Sequence, residues 1–335
     1  HIKKNIVSTL KPLPYSSWNI VLRTISANGE PPGSRVIKRP DLVARCFIAE
    51  VFPEPSPPQT TIYLGFICLF HNLRLVYTQT MKRYNDLVRE IMATGVDRDG
   101  RNGRTRGLFV RELRFKMSDG FPAVTTKKLA FRSVAAELFW FMSGCSDNNV
   151  LQKLGCGIWD GNVNADYWKP KARFDGDLGR IYGVQWRNWM RPDGTTVDQL
   201  SGVIEAIRKD PYGRRLIVSA WNPGELDQMA LPPCHMAFQF YVADGKLSIH
   251  MHQRSCDTFL GVPFNIASYS LMLHIVAQMT GLVADEVVLT LGDVHIYHNH
   301  FDAVREQLSR EPFPLPQLWI NPEIKGLDDI DVSKM

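Results

Sequence analysis

The chain has 335 residues and a mass of 38.1 kDa, with 44% apolar, 10% aromatic and 22% charged residues. That composition supplies one large core or two modest ones and excludes a disordered or fibrous protein. Lys plus Arg number 39 against 34 Asp plus Glu, but residues 1–80 hold 9 basic and 4 acidic side chains, leaving 30 of each in the rest; this balance argues against an obligatory nucleic-acid surface.

Residues 1–80 carry 9 of the 21 prolines, among them Pro53, Pro55, Pro57 and Pro58, and show no sustained period of 3.6 or 2. Three readings stand for this head: a disordered segment, a small appended module, and translation begun upstream of a start at Met81. The last is favoured, because MKRYNDLVREIMATG opens as an amphipathic helix with Tyr84, Leu87, Val88, Ile91 and Met92 on one stripe. The longest apolar stretch, Ile62 to Phe70, falls well short of the roughly 20 residues that span a bilayer. It also lies too deep for an ordinary signal peptide, so no membrane association is expected. Six cysteines without a CxxC pair or disulfide-scaffold spacing point to a reducing, cytoplasmic location.

Residues 81–335 read as a mixed α/β domain. A basic, glycine-bearing loop, DRDGRNGRTRG at 97–107, precedes a strand over Leu108 to Phe115. A helix follows around Ser133 to Met142, with Glu137 set among Val134, Leu138, Phe139, Trp140 and Phe141. After a stretch rich in Gly, Asp and Asn, the pattern predicts a helix over Val197 to Lys209 and a strand over Arg215 to Trp221. No internal repeat is visible.

Residues 235–254, HMAFQFYVADGKLSIHMHQR, are two alternating runs around Asp244-Gly245, the signature of a two-residue type I′ hairpin. If Ala243 pairs with Lys246, an unbulged ladder sets Cys234 opposite Ser255, with Arg254 beside it. A fixed positive charge favours the nucleophilic thiolate, and an arginine can also grip a phosphate bidentately. Geometry alone leaves two readings open for Cys234, a nucleophile or a small core residue following Pro232-Pro233.

Six segments bear on that choice: DGFPAVTTKK at 119–128, GDLGRIYGVQWR at 176–187, RRLIVSAWN at 214–222, LPPCH at 231–235, QRSCDTFLGVPFNIASY at 253–269 and GDVHIYHNH at 292–300. In this order they resemble the thymidylate synthase family, from Met81 to about Pro316. The resemblance implies one α/β domain with a mixed, kinked sheet that packs at a homodimer interface. It implies Cys234 as the nucleophile that adds to carbon 6 of the uracil ring of dUMP. Asn265 would hydrogen-bond the pyrimidine edge, where its amide suits uracil over cytosine. Arg254, Ser255, Cys256 and Asp257 would meet the nucleotide from the same chain, and Arg214 and Arg215 would reach its phosphate across the dimer. Arg101, with Arg98 as its rival, corresponds to a further phosphate ligand from the N-terminal loop. There RNGRTRG departs from the family's RTGTGT, adding Arg104 and Arg106. His295 and Tyr297 would bind the deoxyribose hydroxyl.

The resemblance also implies 5,10-methylenetetrahydrofolate as co-substrate, held by Trp159, Asp257, Leu260, Gly261 and Phe264. Glu137 corresponds to the carboxylate that manages protons, its pKa raised by burial. Tyr182 corresponds to the residue that helps remove the proton from carbon 5, with Asp160 and Asn162 supporting the same wall. No metal is expected, because the histidines at 250–252 and 295–300 lack a carboxylate or cysteine at ligand spacing. The family's closing tail has no counterpart in GLDDIDVSKM. An open site would let water reach the reacting carbon, which keeps a dUMP hydroxymethylase as the alternative.

Overall fold

The computed structural model describes residues 81–330 together with the backbone of the strand Ile20–Arg23. The expectations for the rest of the head and for the last five residues lie outside the described residues. The strands are β1 (Ile20–Arg23), β2 (Val96–Gly100), β3 (Gly103–Lys116), β4 (Trp189–Met190), β5 (Thr196–Val197), β6 (Ile217–Ser219), β7 (His235–Ala243), β8 (Lys246–Asp257), β9 (Val283–Tyr297) and β10 (Gln317–Ile320). The helices are α1 (81–94), α2 (Phe131–Met142), α3 (Asn148–Lys153), α4 (Asp160–Val163), α5 (Tyr182–Arg187), α6 (Gln199–Lys209), α7 (Gly261–Thr280) and α8 (Phe301–Leu308).

Six strands form one mixed sheet in the order β2-β3-β9-β8-β7-β6. Only β8 and β9 run parallel, and α7 makes the crossover between them. That helix is apolar on nearly every side, buries Val262, Ile266, Leu271, Leu273 and Val276, and ends where Gly281 takes a left-handed conformation at φ 71°. One face of the sheet, with Phe115, Phe238, Phe240, Met251 and Leu289, is buried, with α7 packed on β8 and β9 and α2 packed on α7. The other face leaves Ile217 and Tyr241 half or more exposed. The expected stripe of α1 is buried at Tyr84, Leu87, Val88 and Ile91, with Met92 packed against the same core. The helix expected from Val197 begins at Gln199, because the Asp198 carboxylate caps it by accepting from the Ser201 N–H at 2.9 Å.

Three expectations are corrected. The segment at 97–107 is not a loop but a hairpin of β2 and the start of β3, turning at Arg101-Asn102. Its cross-strand pairs Asp97–Arg106 and Asp99–Arg104 set opposite charges face to face. The strand expected over Arg215 to Trp221 is confined to Ile217–Ser219, the residues in register with β7, while Leu216, Ala220 and Trp221 add single backbone hydrogen bonds at its two ends. Finally, Asp244 and Gly245 both take positive φ, 49° and 71°, as a type I′ turn requires. The β7–β8 register nevertheless slips between His235 and Ala237. The bulge sets Cys234 against Arg254 rather than Ser255: the Arg254 N–H donates to the Cys234 carbonyl at 2.8 Å.

Candidate active site

Both parallel strands end at the same edge of the sheet, the position where open α/β sheets bind ligands. Cys234 precedes β7, which runs the other way, so the bulged end of the hairpin delivers the thiol to that edge. The Cys234 N–H donates to the Tyr182 hydroxyl oxygen at 2.6 Å. Burial pushes the thiol pKa up, while the charge of Arg254 and a hydrogen bond from Tyr182 pull it down, and burial wins. The expected activation by Arg254 is therefore real in sign but smaller than desolvation. Arg254 is itself anchored: its Nε and Nη2 donate to the carbonyls of Pro233 and Pro232 at 2.9 Å each, and the guanidinium lies 5.2 Å from the Trp221 ring.

Behind the thiol lies a buried polar cluster in an aromatic shell. Tyr182 stacks on His235 at 4.1 Å and lies 4.8 Å from Phe141. His235 Nδ1 meets the Tyr269 hydroxyl at 2.8 Å. Burial holds the His235 pKa down at about 3, so its ring is neutral and accepts from Tyr269 or donates to it without bringing charge. Burial also raises the Tyr182 and Tyr269 hydroxyls well above their ordinary range. Glu137 sits in α2 with its pKa pushed up to about 7 by burial, against a hydrogen bond of 2.7 Å from the Trp159 indole N–H. Its charge is felt at both tyrosines. Asp160 turns instead to Asn148 and Gln152, at 2.9 and 2.8 Å, which hold its pKa low. Asn162 is half-buried in α4.

At the start of α7, one Asp257 oxygen accepts the backbone N–H groups of Phe259 and Leu260 at 3.1 and 3.0 Å. A Cβ placed on Gly261 would lie 3.7 Å from the Asp257 Cβ and 3.9 Å from Asn265 Oδ1, so these three residues converge. The Asn265 amide is half-buried and makes no hydrogen bond among the described residues. Leu260 is exposed and Phe264 half-buried, leaving apolar surface open beside the carboxylate. The Cys256 thiol is fully buried, donates to the Gln253 carbonyl at 3.5 Å and is pushed up to about 12 by burial. Any ligand contact from Cys256 must come from its backbone. Ser255 is half-buried and uses its carbonyl to accept from Gln253.

His295 and Tyr297 close β9 and line a cavity of about 260 Å³ with Arg98, Arg101, Thr105 and Asp293, beneath the β2–β3 turn. Asp257 is the register partner of His295, which ties this cavity to the α7 start. Arg98 is committed, donating to both oxygens of Asp293 at 2.7 Å. Arg101, exposed at the turn, has no carboxylate partner among the described residues. Arg106 is bound to Asp97 at 2.7 and 3.1 Å, and Arg104 lies 3.7 Å from the same carboxylate.

Arg214 and Arg215 are not brought to this edge. The β6–β7 register puts Ser219 beside Ala237 and Ile217 beside Gln239, so the two arginines lie toward the opposite end of β7. By strand rise the separation from Cys234 is on the order of 25 Å. Both are exposed and unpaired among the described residues.

Sequence reasoning missed His235 and Tyr269, although both stand inside the segments that carried the resemblance. It also missed Lys127, whose ammonium bonds the Phe259 carbonyl and lies 4.0 Å from the Phe259 ring, with burial lowering its pKa to about 8. The four described cysteines, Cys145, Cys156, Cys234 and Cys256, are free. Among the described residues no helix is long and apolar enough to cross a membrane.

A mixed-sheet α/β domain that offers a cysteine, a buried tyrosine and carboxylate, and cations at one sheet edge is laid out for covalent chemistry on an anionic ligand. A family model described as thymidylate synthase matches residues 82–335, and the chain belongs to the thymidylate synthase family. The family supports a folate-dependent, dUMP-methylation type of function.

Proposed function

We propose that the protein is a thymidylate synthase that converts dUMP to dTMP by reductive methylation, with Cys234 as nucleophile. The observation that carries this reading is the position of Cys234, hydrogen-bonded to Tyr182 at 2.6 Å and set by the bulge against Arg254. The Cys234 sulfur adds to carbon 6 of the uracil, and negative charge moves toward carbon 5 and oxygen 4. The unpaired Asn265 amide donates at oxygen 4 and accepts from the ring N–H, which stabilises that charge in a partly desolvated site. Glu137, with a pKa near 7, holds or releases a proton at the working pH. Tyr182 remains a neutral phenol, which suits relay of the carbon 5 proton rather than service as a preformed phenolate.

The surface at the start of α7 fits a flat, partly polar ring system. Leu260 and Phe264 offer open apolar area, Asp257 has one carboxylate oxygen without a hydrogen bond among the described residues, and Gly261 keeps the approach clear. These residues and Trp159 would hold 5,10-methylenetetrahydrofolate, which supplies both the one-carbon unit and the hydride.

Phosphate binding falls to Arg254, Ser255 and Arg101, since Arg98 is taken up by Asp293. The placement of Arg214 and Arg215 far from their own Cys234 supports a homodimer in which each pair completes the partner's site. The half-exposed Ile217 and the exposed Tyr241 on the open sheet face support the same assembly.

Incubation with dUMP and 5,10-methylenetetrahydrofolate, followed by dihydrofolate absorbance and product mass, tests the reading. Thymidylate formed with dihydrofolate is expected. A 5-hydroxymethyl product with tetrahydrofolate would replace it by the hydroxymethylase reading, and no turnover by folded protein would refute both.

A further inference from the structure

The Asp293 carboxylate stands between two ligand-facing parts of the cavity and bonds to both. One side receives the Arg98 guanidinium, whose Nη2 donates to both carboxylate oxygens at 2.7 Å. The other side meets His295 Nδ1 at 3.2 Å, and the Asp293 backbone carbonyl meets the same nitrogen at 3.2 Å. Both groups facing Nδ1 are acceptors, so Nδ1 carries the hydrogen, and it is the tautomer with Nε2 as the acceptor that they select.

We propose that Asp293 is a positioning residue: it fixes the His295 tautomer that accepts a substrate hydroxyl and, through Arg98, latches the β2–β3 hairpin over the cavity. The assignment deepens the dUMP reading and rests on it, since the hydroxyl in question is the 3′-hydroxyl of the deoxyribose.

The geometry makes the two functions inseparable in the native chain. Arg98 lies on β2 and faces Thr105, whereas Asp293 lies on β9 and faces Phe109 of β3, so the ion pair spans β3 and ties the outermost strand to the third. Its partners are 53% and 39% exposed, and an ion pair this open contributes little to global stability. Its effect is local: it sets the height of the turn that carries Arg101 above His295 and Tyr297. Gly107 lets Arg98 pack closely over the register partner His295, because a Cβ there would lie 2.9 Å from the Val294 carbonyl oxygen, 3.2 Å from the Arg98 guanidinium and 3.3 Å from the His295 Cβ. His295 is only 8% exposed, with the Tyr297 ring edge-on at 5.4 Å, so its ring stays as Asp293 orients it.

The test measures affinity for dUMP and for 2′,3′-dideoxyuridine monophosphate by calorimetry, in the unmodified protein, Asp293→Ala and Arg98→Ala. It adds hydrogen exchange of the hairpin amides at 96–107 without nucleotide. The unmodified protein should prefer dUMP by about threefold to tenfold, the range of one net hydrogen bond. Asp293→Ala removes the carboxylate but leaves the backbone carbonyl 3.2 Å from Nδ1, so it should reduce that preference without abolishing it, and should speed hairpin exchange. Arg98→Ala should speed exchange equally, weaken both nucleotides and keep the preference. An unchanged preference in Asp293→Ala overturns the tautomer role, and unchanged exchange in both variants overturns the latch. Failure of the unmodified protein to bind dUMP overturns the function reading instead, while the exchange result still decides the latch. If Asp293→Ala does not fold, Arg98→Ala alone decides the latch, and Asp293→Leu, which offers Nδ1 no side-chain acceptor, takes its place in the affinity comparison.

Discussion

Glu137 offers the sharpest physical test of the buried cluster, because its environment should make stability depend on pH in a defined direction. Burial raises its pKa from 4.5 to about 7 in the folded protein, whereas the unfolded chain keeps the ordinary value. Below pH 4.5 the side chain is protonated in both states and costs nothing. Between 4.5 and about 7 the unfolded state ionises first, so the folded state binds more protons and loses stability as pH rises. The full cost, reached above pH 7, is about 3 kcal/mol. Glu137→Gln removes the titration while keeping a carbonyl that can accept the Trp159 indole N–H now held at 2.7 Å. Denaturant midpoints of both proteins, measured from pH 4.5 to 8, should diverge, with the variant gaining about 3 kcal/mol relative to the parent across that window. The same variant should lose most turnover, since it cannot exchange a proton. A stability difference that stays flat with pH would refute the claim that Glu137 is desolvated without a compensating charge.

Tyr182→Phe leaves the Cys234 N–H without its acceptor in a partly desolvated site, a loss of about 1–3 kcal/mol by chemical denaturation. It also removes one of the two groups that lower the Cys234 pKa, so alkylation of that thiol near pH 8 should slow; equal or faster alkylation would contradict the assignment. Mixing Cys234→Ser with Arg214→Ala should restore activity that neither possesses alone, through heterodimers with one intact site. No recovery after confirmed subunit exchange would exclude a shared site.

The legible parts of this fold are those fixed by period and turn chemistry. Asp244-Gly245 announced the hairpin because few other residue pairs take two positive φ values cheaply, and the burial of α1 follows its stripe. The bulge was not legible. It breaks the alternation of β7 at Met236 and Ala237, where both side chains are half-buried, and it leaves His235 buried on Tyr182 and Tyr269. Those partners lie 53 and 34 residues away, beyond any local pattern. The β2–β3 hairpin was legible in principle, since the charges of DRDGRNGRTRG mirror one another about Arg101-Asn102, but its abundance of Gly and Arg reads locally as loop. For the site, residue types and spacing gave Cys234 and Arg254 with two open readings, and the resemblance supplied roles. The Asp293 contacts with Arg98 and His295 depend on a β3–β9 pairing that no sequence window contains.

The opposed influences on Cys234 carry a mechanistic consequence. A thiol raised by burial is protonated in the free protein, which protects it from adventitious electrophiles. Arg254 lowers that barrier only in part, because two of its N–H groups are occupied by the Pro232 and Pro233 carbonyls. By donating to both proline carbonyls the arginine braces the turn that presents the cysteine, and its three remaining N–H groups are left as donors for a ligand. A phosphate on those donors would not lower the thiol pKa, since it partly neutralises the guanidinium. Under the proposed function, activation would then come from the ring itself, as carbon 6 approaches the sulfur and the Asn265 amide receives the displaced charge. On this account nucleophile activation and uracil recognition are one event, and a nucleotide that docks by phosphate alone leaves Cys234 inert.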